Sequence, residues 1–156
     1  MPRWLDAEEQ AAWRALLEAT SRLFDELERR LQREAGLSHA DYEVLVRLSE
    51  APGRRMRMSE LAEQALVSRS RLSHAVNRLE ARGLLQREAC DTDRRGTYAV
   101  LTDEGFARLE QIAPAHVEDV RRLLFDHLTA GQVHALGEIY RAVIDGRRGA
   151  SGRSGG

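Results

Sequence analysis

Lysine is absent from this chain, and all 24 of its basic side chains are arginine. Cysteine is nearly absent too. Cys90 stands alone, so there is no internal disulfide and no structural zinc site built on cysteines. A buried, inert thiol is its expected role. No apolar run approaches the ~20 residues of a membrane span, and residues 1–15 lack the apolar centre of a signal peptide. The chain is therefore expected to be soluble and cytoplasmic, with no membrane partner. The five histidines show neither H-x-x-x-H nor H-E-x-x-H spacing, so no metal site is expected. Glycine-rich phosphate loops and nucleophile elbows are missing as well. The expectation is no catalytic residue, no cofactor and no enzyme.

At 156 residues the chain suits one compact domain, and 42% hydrophobic content permits a core. Charged residues make up 31% and aromatics only 5%, a balance that fits helices with large solvated faces. The net charge of −1 argues at first against a polyanionic partner. Its distribution reverses that impression. Residues 54–101 carry ten Arg against six acids, a balance of +4, and the remainder carries −5. Charge is sorted by segment.

The basic segment has its own pattern. Ser59-Glu-Leu-Ala-Glu-Gln-Ala-Leu66 reads as a short helix with Ser59 as N-cap and Glu60 and Glu63 in its first turn. Ala65-Leu66-Val67 forms a turn. Ser68 then caps a second helix over Arg69 to Arg82, which Gly83 ends. Leu72, Val76 and Leu79 share one stripe of that helix and should pack on the first. The opposite face carries Ser70, Ser73, His74 and Asn77, flanked by Arg69, Arg71 and Arg78, with no acid before Glu80. Hydroxyl and amide groups framed by arginine suit base-edge hydrogen bonds and phosphate contacts respectively. An ordinary solvated face is the other reading of the same residues.

Beyond Gly83, residues 84–90 read as a strand and 97–101 as its partner. Residues 55–58 are a candidate third strand. The connecting hairpin is Asp91-Thr92-Asp93-Arg94-Arg95-Gly96. An arginine pair, Arg94 and Arg95, at the tip of a two-stranded ribbon suits a minor groove, whose narrowness concentrates negative potential. Asp93 is expected to pair with Arg95 and hold it extended. A plain turn with an exposed ion pair is the alternative. Two capped helices followed by this ribbon make a winged helix-turn-helix. The fold class expected is mainly α with a small β-wing.

Asp93-Arg94-Arg95, five further residues, then Leu101-Thr102 and Asp103-Glu104-Gly105 resemble the wing signature of the MarR family of bacterial transcription regulators. Ser59-Glu60-Leu61-Ala62 and the run from Val76 to Leu84 resemble that family's two helix-turn-helix segments. The resemblance implies a repressor that binds a palindromic operator in double-stranded DNA as a homodimer.

Flanking helices are legible from periodicity. Trp13, Leu16, Leu17, Thr20, Leu23, Phe24, Leu27 and Leu31 follow a helical period that Gly36 stops, and Ser38 caps the next helix. Thr102 caps a long helix that Pro114 should bend, and Thr129 caps the last. Three apolar helices are more than a winged helix needs. Residues 1–36 and 102–146 are therefore expected to form a helical dimerisation region, with Leu123, Leu124, Leu136 and Ile139 in the seam. Intramolecular packing of the three helices is the alternative. Residues 37–101 form the DNA-binding domain, and 147–156 a flexible tail.

The resemblance also implies a pocket between the helical body and the winged helix for a small aromatic or anionic effector. Trp13, His39, Tyr42 and Arg47 are the candidates here, the aromatic rings for stacking and the cations for a carboxylate or phenolate. Simple core positions are the alternative for Trp13 and Tyr42. A winged helix that meets an acidic protein partner is the competing function.

Overall fold

In the computed structural model, residues 1–90 and 93–151 are described, with side chains for all but 93–95 and 148–151. The order is α1 (Ala7–Ala35), α2 (His39–Glu50), β1 (Arg55–Arg57), α3 (Met58–Gln64), α4 (Arg69–Ala81), β2 (Leu85–Cys90), β3 (Asp93–Leu101), α5 (Asp103–Leu123) and α6 (Ala130–Ser151). The strands form one antiparallel sheet in the order β1-β3-β2. Arg55 pairs with Val100 and Leu85 with Leu101, so the third strand expected at 55–58 is present as a three-residue ribbon.

Local chemistry sets most helix ends. Ser38 accepts the Asp41 N–H at 3.0 Å while Asp41 accepts the Ser38 N–H at 2.8 Å, a reciprocal cap. Ser68 accepts from Arg71 N–H, Thr102 from Gly105 N–H and Thr129 from Gln132 N–H. Gly36 terminates α1 at φ 64°. Gly83 follows α4 at φ 72°, where its N–H and that of Leu84 bond back to Glu80 and Leu79.

Several boundaries differ from expectation. Ser59 is not a cap: α3 starts at Met58 because β1 runs straight into it, and Arg57 occupies the cap position without a capping bond from its side chain to the helix. Helix α3 stops at Gln64, since Ala65 turns extended at ψ 134°. Strand β3 is longer than residues 97–101 and takes in Asp93 to Gly96. Helix α5 is, as expected, one long helix with Pro114 inside it. Helix α6 continues past Arg147 to Ser151, so helix occupies the start of the stretch expected to be a flexible tail. Gly146 and Gly149 weaken a helix without removing a backbone donor, which is why they do not stop it.

One core joins α1 to α5 and the sheet, with Leu37, Leu45, Leu48, Leu61, Leu79 and Leu85 fully buried. The Leu72, Val76 and Leu79 stripe of α4 is buried as its period requires and shares this core with Leu61 of α3. The helix that α4 packs on most extensively, however, is α2. Cys90 is buried at 6% exposure. Contacts divide the chain into two compact units, Met1–Val117 and Glu118–Gly156.

Gly105 shows how tightly α5 is seated. A Cβ there would lie 1.9 Å from the Leu84 carbonyl oxygen and 2.8 Å from Leu101 Cδ1. Only glycine lets the first turn of α5 touch the backbone where α4 hands over to β2. Thr102 reinforces the same junction, its hydroxyl donating to the Gly83 carbonyl at 2.7 Å.

Candidate nucleic-acid interface

Helix α4 buries Leu72, Ala75, Val76 and Leu79 and exposes Arg69, Ser70, Arg71, Ser73, His74, Asn77 and Arg78. All seven α4 side chains expected at the interface therefore reach the surface of one helix. They do not share one environment. Arg71, His74 and Arg78 line a cleft of about 220 Å³ with Glu28, Ser38, His39, Ala40 and Val67. Ser70, Ser73 and Asn77 lie on the other side of the polar face.

Two of the seven are engaged within the protein. Arg78 donates from Nη2 to Asp41 Oδ1 at 2.8 Å and to Ser38 Oγ at 3.2 Å, with Nε also directed at Asp41. Asp41 is 3% exposed, so Arg78 neutralises a buried carboxylate. Asn77 Oδ1 accepts from Arg87 Nη2 at 2.8 Å. Arg87 lies on β2 and also meets Glu80 through Nη1 and through its backbone N–H. Arg82 closes the far end of the helix, donating from Nη1 to the Gly36 carbonyl at 2.8 Å.

Sequence reasoning missed Asp41, Arg87 and Glu80. The Ser38-x-x-Asp41 spacing signals a cap, but nothing in it announces a partner 37 residues away. Glu80 was visible only as the first acid on α4.

At the wing, Asp93, Arg94 and Arg95 belong to β3, and the expected Asp93–Arg95 pair lies outside the described side chains. The wing base is described. Arg55 stacks on Tyr98 with its guanidinium carbon 4.0 Å from the ring centroid, and it also pairs with Glu88 at 3.8 Å.

The four effector candidates are not brought into one cleft among those described. His39 lines the α2–α4 cleft, its ring edge against Phe24 with centroids 5.6 Å apart. Arg47 lines a different, open cleft with Met56 and Tyr98, and its Nε donates to Glu43 at 2.8 Å. Tyr42 is buried against His116, ring centroids 4.2 Å apart, and burial raises its phenol pKa. Trp13 is half exposed on α1. Among the described residues no group of histidines, cysteines and acids is arranged to hold a metal. No helix of the described chain is long and apolar enough to cross a membrane.

Known proteins share this architecture. The sequence profile of the MarR family matches residues 35–96. A MarR family transcriptional regulator from Streptomyces coelicolor, solved in complex with DNA, is 54% identical with a TM-score of 0.89, over 94% of this chain and 91% of that one. AbsC, a MarR family regulator from the same organism, is 44% identical with a TM-score of 0.87, over 95% of this chain and 99% of that one. Among curated relatives, the HTH-type transcriptional regulator PecS of Dickeya dadantii is 30% identical over 92 residues, covering 57% of this chain. That match spans little more than half of PecS, 55% of its length. Sequence, fold and the exposed polar face of α4 agree: the chain belongs to the MarR family of transcriptional regulators.

Proposed function

We propose that this protein regulates transcription by binding double-stranded DNA, with α4 in the major groove and the β2–β3 wing in the adjacent minor groove. The observation that carries the reading is the surface of α4. Arg69, Ser70, Arg71, Ser73, His74 and Asn77 are all exposed, and no acid interrupts them. The 54% identity to a regulator solved in complex with DNA supports it further. In this reading the arginines meet phosphates, and the short polar side chains and Asn77 meet base edges. Arg94 and Arg95 serve the wing, with Asp93 steadying Arg95. The role is that of a regulator and not of an enzyme, and repression is the proposed sign.

The same proposal makes the protein a homodimer on a palindromic operator. Exposed apolar side chains support this on α1, at Trp13, Leu17 and Phe24, and separately on α6, at Ile139, Tyr140, Val143 and Ile144. Of the expected seam, Ile139 is 59% exposed, while Leu123, Leu124 and Leu136 are partly covered. The division of labour is a winged helix over residues 37–101 with residues 1–36 and 102–146 as the dimerisation region.

We extend the proposal to control by a small aromatic or anionic ligand. The half-exposed indole of Trp13 and the cleft lined by His39 and Arg71 support it. Titration of phenolic acids, followed by tryptophan fluorescence and by operator binding, tests this part. If neither signal moves, the protein is a constitutive regulator.

The central test is duplex binding as a function of salt. A linear loss of log affinity with log salt, shallower in Arg71→Ala, is expected of phosphate contacts. Arg95→Ala should weaken binding by roughly 1–3 kcal/mol, the worth of a groove contact. No salt-dependent binding to any duplex, together with binding to an acidic protein surface, would instead favour a protein-interaction module.

A further inference from the structure

We infer that Arg87 decides which end of the Asn77 amide is offered to a base, and so acts as a specificity-positioning residue outside the recognition helix. The inference rests on the reading that α4 enters the major groove.

Arg87 is on β2, the strand that follows α4, and its guanidinium returns to the helix. Nη2 donates to Asn77 Oδ1 at 2.8 Å, and Nη1 and the backbone N–H both meet the Glu80 carboxylate. Glu80 therefore grips Arg87 at two points, one of them main chain. A guanidinium has only donors, so the Asn77 atom facing it must be the oxygen. That chemistry fixes the amide's orientation. Asn77 lies on the exposed polar face with Ser70 and Ser73, and the end of its amide turned away from Arg87 is the Nδ2 donor.

An unconstrained asparagine can turn either end of its amide to a base, so it can also offer Oδ1 to the N4 donor of cytosine. With one lone pair of Oδ1 held by a cation, the Asn77 amide cannot flip, and Nδ2 is a donor of fixed direction. A fixed donor matches guanine N7 or O6, adenine N7 or thymine O4, and finds no acceptor on cytosine N4. Because Glu80 neutralises Arg87, the arginine's function here is orientation and not phosphate attraction.

Selection of operators from a random duplex library, run with wild type, Asn77→Ala and Arg87→Met, tests the inference. Wild type should select against cytosine at the base facing Asn77, and Asn77→Ala should flatten that position. Arg87→Met keeps the stem and frees the amide to flip. It should relax the selection against cytosine there by on the order of tenfold. Should Arg87→Met fail to fold by thermal melting, Glu80→Gln loosens the same grip and should move the preference the same way by less. In the free protein, the Asn77 side-chain amide resonances should shift in either variant. An Arg87→Met preference superimposable on wild type while Asn77→Ala changes it would overturn the positioning role. So would a uniform affinity loss at every base. If wild type selects no duplex at all, it is the DNA-binding reading that fails.

Discussion

The Arg78 guanidinium and the Asp41 carboxylate join α4 to α2 at 2.8 Å, with the carboxylate 4% exposed and the guanidinium side chain 49% exposed. The pair is asymmetric: the acid is inside and the base reaches out to it from α4. Ser38 is shared by both, as cap partner of Asp41 and as acceptor for Arg78 Nη2. The angle at which α4 projects is thus tied to the capped start of α2.

Removing one member of this pair strands the other. Arg78→Ala is expected to lower stability by about 1–3 kcal/mol, less than a wholly buried pair would lose because half of the guanidinium already meets water. Urea denaturation measures this directly. An unchanged midpoint and slope would show that the Ser38 and Asp41 cap suffices alone.

Gly105 and Gly83 should respond very differently to alanine. Gly105→Ala drives a methyl group into the Leu84 carbonyl, so α5 must move or the fold must fail. A loss of more than about 3 kcal/mol, in the range of severe overpacking, is expected. Gly83→Ala meets only Glu104 Oε2, at an ordinary contact distance of 3.8 Å, and the left-handed φ of 72°, costing about 1 kcal/mol. Thermal melts of the two variants should rank in that order.

Tyr42 sets an alkaline limit. Burial penalises its phenolate, so its folded pKa stands above the ordinary tyrosine value of 10.0. A raised folded pKa gives a contribution that is full below that ordinary value and is lost as pH rises towards the folded one. Stability should therefore fall above about pH 10, and Tyr42→Phe should flatten the fall while keeping the ring against His116. Denaturation midpoints across that window check the sign, and the late part of the phenolate absorbance titration should disappear in Tyr42→Phe.

The apolar face of α6 supplies a test of assembly. Ile139→Asp combined with Val143→Asp places charge on two side chains that are 59% and 56% exposed in the single chain. If a second copy covers them, the variant should sediment as a monomer and lose affinity for a two-half-site operator far more than for a single half-site. A dimer of wild-type strength in the variant would remove α6 from the interface.

Much of the fold is legible in the sequence because its determinants are local. The stops at Gly36 and Gly83 follow from left-handed backbone that glycine adopts freely, and the caps at Ser38, Ser68, Thr102 and Thr129 follow from bonds across three residues. The exposed set on α4 follows from helical period alone, since Leu72, Val76 and Leu79 can face only one way. Where local signals compete, sequence misleads: Ser59 has the chemistry of a cap, but β1 delivers the chain into α3 one residue earlier.

Tertiary structure decided what those exposed residues are free to do. Arg78 and Asn77 read alike as surface polar groups, yet one neutralises Asp41 of α2 and the other is gripped by Arg87 of β2. Trp13, His39, Tyr42 and Arg47 read as one candidate set, yet they are divided among an exposed helix face, two clefts and the core. Periodicity fixes a side chain's direction from its own helix axis. Which charge waits there depends on how separate helices and strands pack, and no spacing along the chain encodes that distance.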